Sequence, residues 1–258
     1  MAEEKWFTGI SEVKPNQLRV RGYLLAELMG EKSFAATVWL LLTGELPHPK
    51  HIKLIEALLL CGVDHGITPP SAQAARIITS TGGNISQAVA AGVLAINASH
   101  GGAIEGCMRA LLRGRDIMGE HALGHREAAG ELLKHLKEQG RRMPGYGHRL
   151  HTADPRTARL RVLAKEAGVY GDFLKLADAI EQHFEQAGKP LPLNVDGAVG
   201  AVLCELGVDP LIANGFFILP RVAGLIAQFA EERTREKVMR HIDFSAAEYN
   251  GPAAREVP

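Results

Sequence analysis

Residues 144–168 read Pro-Gly-Tyr-Gly-His-Arg-Leu-His-Thr-Ala-Asp-Pro-Arg-Thr-Ala-Arg-Leu-Arg-Val-Leu-Ala-Lys-Glu-Ala-Gly. The second half spells a helix with both ends. Asp154 is a good N-cap, and Pro155 falls in the first turn, where a missing N–H costs no hydrogen bond. Leu160, Leu163, Ala164 and Ala167 follow at i, i+3, i+4 and i+7, and Gly168 supplies a stop. The first half is a glycine-rich loop carrying His148. Arg156 sits in the first helical turn, where a cation opposes the helix dipole, so the arrangement calls for an anion beside it. A histidine, an arginine and an anion-friendly helix start within nine residues point to acid/base work on a carboxylate-bearing substrate.

The same helical style extends in both directions. Residues 33–43 are apolar and end at Gly44. Residues 51–61, 70–80, 85–98, 123–138, 172–187, 195–206 and 209–230 carry apolar or alanine positions at helical spacing. No sustained period-2 run is present, so a mostly α protein is expected. Internal repeats and low-complexity segments are not seen, and the tail after Pro252 reads as loose. The Ala/Gly-rich stretch 88–106 permits close helix packing. Residues 215–230 are apolar almost throughout, which makes a buried helix, either at a subunit interface or at the centre of a monomer.

Composition narrows the function classes. The chain has 258 residues, 46% of them hydrophobic, enough for a sizeable core. Lysine plus arginine equals aspartate plus glutamate at 29 each, so charge gives no support for nucleic-acid binding. The start, Met-Ala-Glu-Glu-Lys-Trp, lacks the basic-then-apolar order of a signal peptide. No apolar run approaches the roughly 20 residues that span a bilayer, so no membrane association is expected. Cys61, Cys107 and Cys204 are scattered, which argues against a disulfide framework or a zinc site and for a reducing cytoplasm.

Several residues are candidates for chemistry. His148 lies between Gly147 and Arg149, with Gly145 close by, on a backbone that a ligand can approach closely. Arg141 and Arg142 add positive charge beside it, for a phosphate-bearing ligand or merely as a solvated turn. Asp196 lies in Leu-Pro-Leu-Asn-Val-Asp-Gly-Ala-Val-Gly. It is either a buried carboxylate with raised pKa or an N-cap, a job for which Asn194 competes. Arg221, within Phe-Phe-Ile-Leu-Pro-Arg-Val-Ala-Gly, needs a partner, either an internal carboxylate or a substrate carboxylate. Pro220 is expected to kink that helix and open a pocket around Arg221. His65, between Asp64 and Gly66, and His100, before Gly101-Gly102, are each core or site histidines.

Taken in order, these pieces resemble the citrate synthase superfamily over nearly the whole chain. The resemblance rests on Thr8-Gly9-Ile10-Ser11, Arg21-Gly22-Tyr23, Leu41-Leu42-Thr43-Gly44-Glu45-Leu46-Pro47, Asp64-His65-Gly66 and Ser99-His100-Gly101-Gly102. It continues through Gly145-Tyr146-Gly147-His148-Arg149, Asp154-Pro155-Arg156 and Asn194-Val195-Asp196-Gly197. Asp64-His65-Gly66 and Arg240-His241-Ile242-Asp243-Phe244 look most like the citryl-CoA lyase branch and the similar C-terminal module of ATP-citrate lyase. His100 fits the synthase pattern.

The resemblance implies a citrate-synthase-like fold, with a large helical domain of residues 1–101 and 211–258 and a small domain of 102–210 that closes over it. It implies cleavage of citryl-CoA to acetyl-CoA and oxaloacetate, with citrate or 2-methylcitrate synthesis as the alternative. A non-catalytic CoA-binding subunit is the alternative of another class. It assigns acid/base and oxyanion work to His148, Asp196 and His100, and carboxylate binding to His65, Arg156, Arg221 and Arg240, the last reaching a neighbouring subunit's site. Arg141, Arg142, Met143, Gly145, Gly147 and Arg149 would line the coenzyme A path. The thioester is a substrate, no metal or permanently bound cofactor is implied, and a homodimer or higher homo-oligomer is expected.

Overall fold

The computed structural model describes residues 5–147, 153–241 and 243–257. In chain order the elements are β1 (Ser11–Lys14), β2 (Gln17–Val20), β3 (Tyr23–Leu24), α1 (Leu25–Glu31), α2 (Phe34–Thr43) and α3 (Ile52–Leu60). Then come α4 (Pro70–Ser80), α5 (Ile85–Leu94), α6 (Ala103–His121), α7 (His125–Glu138), α8 (Pro155–Ala167) and α9 (Asp172–Gln186). The last are α10 (Val195–Glu205), α11 (Pro210–Ala213) and α12 (Gly215–Arg235). The protein is mostly α, as its periodicity implies.

Contacts divide the chain into two units, residues 1–65 with 96–224, and residues 66–95 with 225–258.

The first unit opens with an antiparallel meander in the order β1-β2-β3, with Ser11 opposite Val20 and Val20 opposite Tyr23. It is a small addition to a fold whose sequence shows no sustained period-2 run. Its strands are four, four and two residues long, too short to show a period of two, and β1 is exposed along its whole length. Asn16 and Arg21 turn the chain with φ of 60° and 47°.

Helices α6, α7, α9 and α10 build the main core around Cys107, Met108, Leu111, Leu132, Leu174, Leu176, Ile180 and Leu203. Each fully buried leucine contributes about 1.5–3 kcal/mol. The close crossing depends on Gly114. A β-carbon there would lie 2.6 Å from Leu176 Cδ2 and 3.2 Å from Leu132 Cδ2, so even alanine would make the Leu176 side chain give way.

In the second unit, α4, α5 and the last part of α12 share a small core of Ala75, Ala88 and Leu225, with Ile78, Val89, Val93 and Phe229 packed on it. Asn84 and Gln87 form a reciprocal capping box at the start of α5. Arg76 is buried and makes ion pairs with Glu232 at 2.7 Å and Glu231 at 3.2 Å. Glu232, 2% exposed, also takes both arms of Arg240 at 2.8 Å.

Burial alone would raise the Glu232 pKa, but the two arginines outweigh it and hold the carboxyl below its ordinary value. The stability this group supplies is therefore present above the ordinary carboxylate pKa and is lost as pH falls through the lowered one. Glu232→Ala is expected to cost about 3 kcal/mol, the low end for a broken buried ion pair, because Arg76 loses its one buried carboxylate and keeps only the half-exposed Glu231 and Glu236. Acid titration of the melting temperature should show a smaller acid-induced loss in the variant than in the parent.

Residues Pro210–Arg235 hold an 18-residue window with a mean hydropathy of 1.6, long and apolar enough to cross a membrane by length and composition. That corrects the statement that no apolar run approaches bilayer length. The packing shows another use for the apolar surface. A β-carbon on Gly224 would overlap Val63 O, and Gly62 lies against Pro220. Helix α12 runs unbroken through Pro220, and the 61–64 loop lies along it.

Candidate active site

The loop of residues 144–147 is fastened to the start of α10 by backbone. Asn194 N donates to Gly145 O at 3.0 Å, and Gly147 N to Pro192 O at 2.8 Å. Asn194 Nδ2 donates to Gly147 O at 2.9 Å. Gly145 has φ +83°, and a β-carbon on it would lie 2.6 Å from Gly197 Cα. Two glycines therefore meet where no side chain fits. Tyr146 anchors the loop from behind through its hydroxyl to Ala177 O at 2.9 Å. His148 and Arg149 follow directly but lie outside the described residues.

Asp196 is on the first turn of α10. The cap is Asn194, whose Oδ1 accepts from Gly197 N at 3.0 Å, so Asp196 is not spent on capping. Burial pushes its carboxyl above the ordinary value, Arg156 and Arg221 pull it back, and Asp154 adds to the rise. A carboxyl so placed holds a proton more readily than a solvated one.

The loop-and-helix reading called for an anion near Arg156, and the chain itself supplies one. Asp154, 5% exposed, receives Arg156 Nε at 3.0 Å and Nη2 at 2.8 Å, besides capping Arg156 N at 2.9 Å. Arg156 Nη1 reaches Cys61 O at 3.2 Å. Asp154 is thus both the helix cap and the partner that fixes the guanidinium plane.

Arg221 is 2% exposed. Its Nε donates to Gly62 O at 2.9 Å, and its guanidinium lies 4.7 Å from the Phe217 ring centroid. Burial lowers its pKa, and the charges of Asp64, Arg156 and Asp196 act on it. His100 packs edge-on against the same Phe217 ring at 5.7 Å. Burial, then the Arg221 charge, lowers the His100 pKa, which favours the neutral imidazole. His100 is held by paired backbone bonds with Asn97, each at 2.9 Å.

His100, Arg156, Asp196 and Arg221 therefore form one group that shares its charges. His65 is half-buried and adjoins Asp64, one of the charges felt by Arg221. Arg141 and Arg142 are exposed, while Met143 is buried in the core and pins the loop from inside. Arg240 belongs to the other contact unit, on Glu232. Among the described residues, no three His, Cys, Asp or Glu stand at metal-ligand spacing.

Sequence reasoning did not single out Phe217, although it lies four residues before Arg221 on one helix face and helical spacing alone could have found it. The Gly62 carbonyl carried no sequence signal.

A sequence model described as citrate synthase, C-terminal domain, matches residues 47–241. The structure of citryl-CoA lyase from Hydrogenobacter thermophilus is 40% identical, with a TM-score of 0.89, over 99% of this chain and 98% of that one. ATP-citrate synthase beta chain protein 1 of Oryza sativa subsp. japonica is 27% identical over 207 residues, 73% of this chain. Citrate synthase 2 of Bacillus subtilis is 27% identical over 220 residues, 82% of this chain. The match spans 33% of the length of the rice protein and 54% of the Bacillus one.

Proposed function

We propose, from the premise that this chain belongs to the citrate synthase family, that it cleaves citryl-CoA into acetyl-CoA and oxaloacetate. The observation carrying this reading is the likeness to a citryl-CoA lyase along essentially the full length of both chains. The site chemistry agrees with that direction. Cleavage requires an acid that starts protonated, and burial keeps a proton on Asp196 more readily than on an ordinary aspartate.

In this mechanism His148 takes the proton of the tertiary hydroxyl. The bond between the hydroxyl-bearing carbon and the thioester methylene breaks. The hydroxyl carbon becomes the ketone of oxaloacetate, and the bond's electron pair passes into the thioester as the enolate of acetyl-CoA. Neutral His100 donates a hydrogen bond to the enolate oxygen, a kind of contact worth on the order of 3 kcal/mol in such sites. Asp196 then gives its proton to the enolate carbon. Arg156 and Arg221, with His65, hold the carboxylates. Arg141, Arg142 and the 144–149 loop line the path of coenzyme A, and the 102–210 domain closes over the site to exclude water.

The exposed apolar positions Leu219 and Ile226 on α12 support a homodimer, with Arg240 contributed to the neighbouring site. Three free cysteines suit a reducing cytoplasm.

Purified protein given citryl-CoA should release oxaloacetate, followed by NADH consumption with malate dehydrogenase. Free CoA from acetyl-CoA plus oxaloacetate, without citryl-CoA cleavage, would replace the lyase by a synthase. Neither reaction, with CoA still bound, would make the chain a binding subunit.

A further inference from the structure

We propose that Glu181 is a positioning residue for this reaction, one carboxylate that ties together the three segments bearing His148, Asp196 and Arg156. The proposal rests on the acid/base reading above. Glu181 Oε1 accepts the backbone N–H of Leu193 at 2.8 Å, and the Leu193 side chain is fully buried. Its Oε2 takes Arg161 Nη2 at 2.5 Å. Arg161 lies on α8, the helix whose first turn holds Arg156. The same Arg161 nitrogen is 2.8 Å from Asp178, whose other oxygen accepts from the Tyr170 hydroxyl.

Leu193 is where the site segments converge. The next residue, Asn194, caps α10 two positions before Asp196. Asn194 also bonds the carbonyls of Gly145 and Gly147, and His148 follows Gly147. The Leu193 amide is therefore the shared root of the Asp196 helix and the His148 loop. Glu181 holds that root with one oxygen and α8 with the other. Loss of its grip would let Asp196 and the 144–147 loop that leads to His148 drift relative to Arg156. Misplacement by 1 Å costs on the order of 100-fold in rate.

A simple ionic link between α8 and α9 would look similar in the number of its bonds, but it predicts something different. Asp178 shares Arg161 yet bonds no part of residues 192–194, so it separates the two ideas. Glu181→Ala is expected to lower kcat on citryl-CoA about 10- to 100-fold with little change in KM, as expected for misplaced reacting groups. Glu181→Gln keeps the acceptor for Leu193 but turns an amide N–H toward Arg161, so it should recover part of that loss, whereas Asp178→Asn should leave kcat near the parent value.

Hydrogen exchange should quicken in peptides covering 144–147 and 192–197 in Glu181→Ala and not in Asp178→Asn. Should Glu181→Ala fail to fold, Glu181→Asp withdraws the carboxylate from Leu193 and carries the same expectations. Unchanged kcat in the folded variant, or equal damage from Glu181→Gln and Glu181→Ala, would overturn the proposal. If the parent protein does not cleave citryl-CoA, the functional reading fails, and the exchange comparison still decides whether Glu181 holds both segments.

Discussion

Asp196→Asn is expected to slow acetyl-CoA formation from citryl-CoA by at least about 100-fold, the usual scale for a lost general acid. The fold should survive, because the carboxamide fills the same volume and Asn194, not Asp196, caps α10. Removing an ionisable carboxyl from a place where burial disfavours its charge also removes a desolvation cost. The melting temperature of the variant should therefore equal or exceed that of the parent. In the parent, cleavage should weaken as pH rises through the elevated Asp196 pKa, since the working form is protonated. That alkaline limb should vanish from the residual activity of the variant. Steady-state rates across pH, beside a melting curve, check both halves, and near-normal turnover would remove Asp196 from the mechanism.

Arg221→Lys is expected to lower kcat/KM for citryl-CoA about 100- to 1000-fold, even though the charge is kept. Truncating a buried hydrogen-bonded charge contact costs about 2–5 kcal/mol. Lysine cannot supply the Nε bond to Gly62 O, cannot lay a planar cation over Phe217 and cannot grip a carboxylate with two parallel N–H groups. His100 packs on that same ring, so the variant should also disturb the enolate oxygen's donor. The loss is thus expected in kcat as well as KM. Equal kinetics for the two proteins would show that Arg221 serves the fold alone.

Much of this architecture is legible from residue order. The α8 helix is written with its cap, its stripe and its stop, and the structure starts and ends it at Pro155 and Ala167. Helices α2, α4 and α9 are legible in the same way. Helix α6 is not, although Ile104, Cys107, Met108 and Leu111 lie on one face, because Gly106, Gly114, Arg109, Arg113 and Arg115 dilute its apolar signal. The glycine at 114, which weakens the helix as a sequence signal, is what lets it pack against α7 and α9. The meander is invisible for the opposite reason, since strands this short and exposed carry no pattern.

Legibility of the site divides along similar lines. Asp196 and Arg221 stand out because a charge among apolar neighbours is conspicuous. The pairing of Arg156 with Asp154 was within reach, two residues away, yet a good N-cap hides a second use of the same carboxylate. What joins residues distant in the chain, such as Glu181 to Leu193 or Arg221 to Gly62, is a backbone contact and leaves no trace in side-chain identity.

Asn194 carries a consequence for sequence drift. Helix starts accept Asn and Asp about equally well, so α10 by itself would let the two interchange freely. The carbonyl of Gly147 does not, because it needs the amide nitrogen that only Asn offers. An Asp there would keep the helix intact and turn a lone pair toward that oxygen. The exchange that propensity ranks among the mildest at this helix start is thus one that costs the loop its anchor.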